Sequence, residues 1–165
     1  MMRIGLISDT HDNVALARVA ADLFREHRVE RTIHLGDVMT RPVLDPLDAP
    51  VVLRGNNDAP SMGVDAWGDT YEGVRIGAHH GHHPWNGGEV DLLLHGHSHR
   101  MRNERVGRTR VVNPGALHRA SVKTVAIVEL PTLDVTFYEV GAQGAAPLAA
   151  SAQPKPPRAL EDFSG

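Results

Sequence analysis

Five short polar runs carry residue types that bind divalent cations: Asp9-Thr10-His11, Gly36-Asp37, Gly55-Asn56-Asn57-Asp58, His79-His80-Gly81-His82 and Gly96-His97-Ser98-His99. Carboxylate and amide oxygens suit hard ions and imidazole nitrogen suits borderline ones, so a mixed Asp/Asn/His set points to manganese, iron, nickel or zinc and away from calcium. Histidine is clustered as well: of eleven in the chain, seven lie between His79 and His99. Any one of these runs is commonplace in loops, where polar side chains cap backbone groups. All five together need a fold that gathers distant loops into one place. A metal-storage or metal-sensing protein built on the histidine cluster alone would leave Asp9, Asp37 and Asn56 without a role.

The elements between the runs supply such a fold. Arg3 to Ser8 is an apolar stretch that stops at Asp9, as a buried parallel strand stops at a polar loop. Asn13 is a helix cap, followed by Leu16, Val19, Ala20, Leu23 and Phe24 at helical spacing. Further strands are read at Thr32 to Leu35, Pro50 to Leu53 and Val90 to Leu94, each ending at one of the polar runs. Trp67 to Ala78 reads as a hairpin turning near Glu72-Gly73, Asn103 to Val112 as one turning at Val106-Gly107-Arg108, and Lys123 to Val140 as one turning at Pro131-Thr132. Open α/β sheets bind ligands beyond the carboxyl ends of their strands, where Asp9, Asp37, Asn56, His80 and His97 all fall.

At 165 residues the chain is one domain in size. We expect that domain over residues 1–140, with 141–165 an Ala/Pro-rich, mostly irregular extension outside the core. The absence of cysteine excludes disulfides and thiolate zinc sites. No segment has the length of a membrane span and the N-terminus has no cleavable leader pattern, so a cytoplasmic protein with no membrane partner is expected. A net charge of −3 with mixed signs offers no broad landing zone for a long nucleic acid.

The order and spacing of the five runs, together with Asn113-Pro114-Gly115-Ala116, resemble the calcineurin-like metallophosphoesterases, in their small prokaryotic branch with its retromer-subunit relatives. The resemblance covers about residues 3 to 140 and departs from the family's Asn-Pro-Gly-Ser in having Ala116 for serine. It implies an α/β fold, a single-domain β-sandwich flanked by helices. It also implies two divalent ions, manganese first, with nickel, iron, zinc or magnesium as substitutes. Carried over by position, one ion takes Asp9, His11, Asp37 and His99, and the other takes Asp37, Asn56, His80 and His97. Two ions about 3.5 to 4 Å apart need a shared carboxylate, here Asp37, and a bridging hydroxide would attack phosphorus in line. The expected partner is a small phosphate ester, a phosphodiester ahead of a monoester, and self-association is left open.

Asn57 stands where many relatives have a histidine that serves the leaving oxygen and where the small branch often has cysteine. It can donate a hydrogen bond there but cannot give up a proton at neutral pH. His82, two residues past a ligand position, is the nearest compensating acid. His34 inside a strand reads as a satisfied core histidine, Trp85 as a loop anchor that could also stack on a base or aryl group, and Arg54 and Arg100 as salt-bridge partners that could also grip a substrate phosphate. The competing function is a non-catalytic protein-binding scaffold of the same fold, which the intact ligand set disfavours.

Overall fold

The computed structural model describes residues 1–154. β1 (Met2–Ile7), β2 (Arg31–His34) and β3 (Val51–Val52) run parallel. On the other side of β1, strands β9 (Thr124–Leu130), β10 (Asp134–Gly141) and β11 (Gly144–Pro147) are added antiparallel, giving the order β11-β10-β9-β1-β2-β3. The second sheet is built around another parallel trio, β5 (Val74–His79), β6 (Leu92–Leu94) and β8 (Thr109–Pro114). Strands β4 (Ala66–Tyr71) and β7 (Met101–Val106) pair antiparallel at its edges.

The sheets face each other across one apolar layer. Ile4, Leu6, Ile33 and Leu35 on one side meet Ile76, Leu92, Leu94 and Val112 on the other, all of them buried. The side-chain period of two sends alternate residues of the same strands outward, so Ile7, Val125 and Ile127 pack instead against α1 (Val14–Glu26). That helix starts where the Asn13 side chain accepts the Leu16 N–H at 3.1 Å, and it buries Leu16, Ala17, Ala20, Leu23 and Phe24 along one stripe. Gly5 lets it approach: a Cβ there would stand 2.9 Å from the Phe24 ring. Flanking is thus by this single α-helix, on the outer face of the six-stranded sheet, among the described residues.

Each hairpin turns where the sequence places it. At Glu72-Gly73 both residues have positive φ, 51° and 73's 75°, which suits the right-handed twist of the paired strands. The extension differs from expectation in its first part. β11 pairs with β10, Leu148 packs on the sandwich core, and the Gln153 side chain bonds both the N–H and the C=O of Phe137 at 2.9 Å. The open edge of β10 has backbone groups to satisfy, and small residues with one glutamine satisfy them. The rest of the expected extension, residues 155–165, lies outside the described residues. Among the described residues no helix is long and apolar enough to cross a membrane.

Candidate metal centre

Both parallel trios point their carboxyl ends at the same region, and the loops leaving β1, β2, β3, β5 and β6 meet there. The backbone in those loops is unusual. Asp9, His11, Asp37, His97 and His99 all have left-handed φ, of 51°, 42°, 57°, 70° and 61°. Such conformations cost non-glycine residues of order 1–3 kcal/mol each and persist where surrounding structure enforces them, characteristically at functional sites.

All seven residues read as ligands come together. Asp9, His11 and His99 offer donor atoms within 4.8 Å of one another, and so do Asp9, Asp37 and His80. His11 Nε2 lies 3.3 Å from Asp37 Oδ2, and His99 Nε2 lies 3.3 Å from Asp9 Oδ1. His80 Nε2 is 3.0 Å from Asn56 Oδ1 and 3.7 Å from Asp37 Oδ2, so Asp37 faces both histidine groups. The His97 ring centroid is 5.1 Å from that of His80. Asp9 is fully buried, yet its Oδ1 has no hydrogen-bond partner, and neither has the shielded His11 Nε2. A buried carboxylate oxygen left bare costs several kcal/mol unless a cation meets it, and this donor set of oxygens and imidazoles fits divalent ions of the manganese-to-zinc group.

The surrounding groups aim these atoms. Ser8 Oγ and the His97 N–H both donate to Asp9 Oδ2, leaving Oδ1 free. His80 Nδ1 lies 2.7 Å from the Leu35 carbonyl; with the proton on Nδ1 donated there, Nε2 presents its lone pair to the site. Buried Asn113 donates to the Gly96 carbonyl at 3.0 Å and to Ser98 Oγ at 3.1 Å, which fixes the loop carrying His97 and His99. Asp58 accepts the N–H groups of Asp37, Gly55 and Met39 at 2.8, 2.8 and 2.9 Å, tying two ligand loops to one carboxylate.

Asn57 lies against a candidate ligand. Its N–H and its side-chain Nδ2 both donate to Asp37, each at 3.0 Å, so the amide orients that carboxylate. Burial pushes the Asp37 pKa up, but these two hydrogen bonds and the nearby His80 and His11 outweigh it, and the net shift is down. His82 sits 5.4 Å from His80 and 6.2 Å from His97, ring to ring, with Nδ1 unpartnered. Burial, then His83 and His80, lower its pKa.

His34 and His79 stand outside the ligand set. His34 accepts the Gly36 N–H at Nδ1 and meets Thr10 Oγ1 at 3.0 Å, and burial holds its pKa down to about 3. His79 is lowered to about 4, chiefly by burial, and stacks edge-on against Trp85 and His95. Trp85 anchors its loop by donating to the Gly88 carbonyl, and Arg54 is tied to Asp65 at 2.6 Å. Sequence reasoning missed His118, whose ring stacks on His11 at 4.1 Å and 17°. A lone histidine in the connection from β8 to β9 carries no spacing signal that could have found it. Asp58 was visible in its run, but its three backbone contacts were not.

The sequence profile of the calcineurin-like phosphoesterase superfamily domain matches residues 2–133, and the chain belongs to that superfamily. Phosphodiesterase MJ0936 of Methanocaldococcus jannaschii is 29% identical over 154 residues, spanning 78% of this chain and 93% of its own. The solved structure of an archaeal phosphodiesterase superposes with a TM-score of 0.76 at 26% identity, covering 84% of this chain and 99% of that one. Wild-type Vps29 of Entamoeba histolytica, solved with zinc, matches at 0.66 and 23% identity over 89% of this chain and 98% of its own, a likeness of fold alone.

Proposed function

We propose that the chain is a two-metal phosphodiesterase acting on small phosphate esters. The observation that carries this reading is the bare, buried Asp9 Oδ1, with His99 Nε2 3.3 Å away and the equally unpartnered His11 Nε2 close by. Similarity to proteins named as phosphodiesterases adds the reaction class. Asp9, His11, Asp37 and His99 would hold one ion, and Asp37, Asn56, His80 and His97 the other. When bound, such ions polarise phosphate oxygens and acidify water for in-line attack at phosphorus.

The chain's own work is positional. Ser8 and His97 turn the Asp9 carboxylate, Leu35 fixes the His80 tautomer, and Asn57 and Asp58 set Asp37 and its loop. Asn57, an amide engaged with Asp37, has no proton to give up to the departing oxygen. Leaving-group acidity should therefore govern the rate, with aryl esters outpacing alkyl ones.

The test is turnover of bis-aryl and mono-aryl phosphates by metal-stripped protein with manganese, nickel, zinc or magnesium restored singly. Manganese is expected to restore the most activity, the bis-aryl ester to be preferred, and Asp37→Ala to lose both metal binding and turnover. Inactivity with every ion would point instead to a protein-binding scaffold, and full activity of Asp37→Ala would refute its bridging role.

A further inference from the structure

The Asn113-Pro114-Gly115-Ala116 run does more than steady the loop of His97 and His99. Asn113 Oδ1 accepts the Gly115 N–H at 2.9 Å, and Gly115 sits at φ 84°, where a Cβ would collide with Thr124 Oγ1. That hydroxyl donates to the Pro114 carbonyl at 2.7 Å, and the Thr124 N–H donates to the Ala116 carbonyl at 3.3 Å. Ala116 and Leu117 are buried, Leu117 in the apolar layer that α1 packs on. The chain is thus fixed as far as residue 117. The next side chain, His118, lands on His11 with ring centroids 4.1 Å apart and planes inclined by 17°.

His11 has need of such a neighbour. Its backbone is set by a left-handed φ of 42° and by donation of its N–H to the Asp37 carbonyl at 3.1 Å, but its ring can still turn about two side-chain torsions. A metal-ligating histidine usually loses that freedom through a hydrogen bond at its second ring nitrogen. His80 has one, to the Leu35 carbonyl. The His11 ring forms none among the described residues, although its Nε2 is shielded and only 3.3 Å from Asp37 Oδ2. His99 meets it edge-on at 5.8 Å, but His99 belongs to the same ligand group. His118 is the aromatic contact left over: it covers one face of His11 and stands edge-on to His99 at 6.3 Å.

His118 is not itself placed to bind the ion. An imidazole holds a metal close to its own plane, about 2.0–2.1 Å from the nitrogen for zinc. Two nearly parallel rings 4.1 Å apart have no such point in common. We propose that His118 is a positioning residue, whose stacked ring fixes the plane of His11 and keeps Nε2 turned toward the ion shared with Asp9, Asp37 and His99; this rests on the two-metal reading above. The contact depends on a flat ring and not on the imidazole nitrogens, which separates it from ligation.

Manganese titration of chelator-treated protein by calorimetry tests this with three variants. His118→Ala and His118→Leu are expected to weaken one of the two manganese equivalents by about tenfold and leave the other unchanged, the loss typical of groups that orient a ligand. His118→Phe, flat but without nitrogen, should keep the affinity of the unaltered protein. Unchanged binding in His118→Leu would overturn the role, as would a loss in His118→Phe equal to that in His118→Ala. Proton NMR of the metal-free protein reads the stack without any ion, with the His11 resonances identified through His11→Gln. The His11 ring protons should move downfield in His118→Leu and far less in His118→Phe, and an absence of movement in His118→Leu would remove the stack. Hydrolysis of bis(p-nitrophenyl) phosphate reads the phosphodiesterase assignment separately. Turnover with equal metal affinity in all the proteins sinks only the positioning role, and the expected affinity pattern without turnover sinks only the phosphodiesterase.

Discussion

Asn57 stands beside a candidate ligand in sequence and spends its amide on Asp37. Replacing it by alanine keeps the backbone donor at 3.0 Å and removes the side-chain one. The carboxylate then loses orientation, and groups that orient ligands typically carry 10–100-fold in metal affinity. Asn57→Ala is expected to weaken manganese binding by about tenfold in calorimetry while leaving the aryl-over-alkyl preference intact; a collapse of that preference would mean that Asn57 serves the leaving oxygen after all. His34 acts through a different property. Its folded pKa of about 3 lies below the ordinary 6.5, so the unfolded chain takes up a proton that the fold refuses. The stability this protects is complete above about pH 6.5 and falls as pH drops toward 3, with a slope approaching about 1.4 kcal/mol per pH unit. His34→Gln has no such proton to take up. Denaturant unfolding of metal-free protein from pH 7 to pH 4 should show the unaltered chain losing stability faster than the variant, and parallel curves would exclude this role.

At the scale of elements, the loops approach one another so closely that glycine is required at their crossings. A Cβ on Gly96 would collide with Ser8 Oγ and stand 2.7 Å from Asp9 Oδ2, and one on Gly55 would collide with the Asp37 carboxylate. Gly96→Ala should therefore cost about 1–3 kcal/mol in thermal unfolding and weaken metal binding as well, because the displaced group is a candidate ligand. Gly141→Ala, with open space around the new methyl, is the matched control expected to do neither. These crossings also explain what was legible beforehand. Apolar runs ending at Asp9, Asp37, Asn56, His80 and His97 declare strands and polar loops through local periodicity, whereas the seven-residue set came from the family resemblance, and the parallel pairing of β5, β6 and β8 joins segments that the sequence shows only as separate strands and hairpins. The roles of Asp58 and Asn113 come from backbone contacts made across the fold, and His118 reaches His11 from more than a hundred residues away, which no local pattern encodes. β11 escaped for the opposite reason: Gly144–Pro147 has no strand signature, and it is ordered by the open edge of β10.

For the whole molecule, the candidate centre is also a fastener. Asp9, Asp37 and Asn56 leave the six-stranded sheet and His80, His97 and His99 the five-stranded one, so ions held by both groups would join the two halves of the sandwich at one end. The unfolded chain has no such arrangement, and binding to the folded state alone stabilises by about 2.7 kcal/mol when free metal is at roughly a hundred times its Kd. For a chain of this size that is roughly 5–10 °C in Tm. Manganese should raise the melting temperature of chelator-treated protein by this amount. Asp37→Ala should melt at the same temperature with or without the ion, because the carboxylate facing both histidine groups is gone. An unchanged Tm in the unaltered protein would mean that the buried, unpartnered Asp9 oxygen is satisfied by something other than a metal. A rise retained in Asp37→Ala would confine binding to the Asp9, His11 and His99 group and remove the case for a second ion.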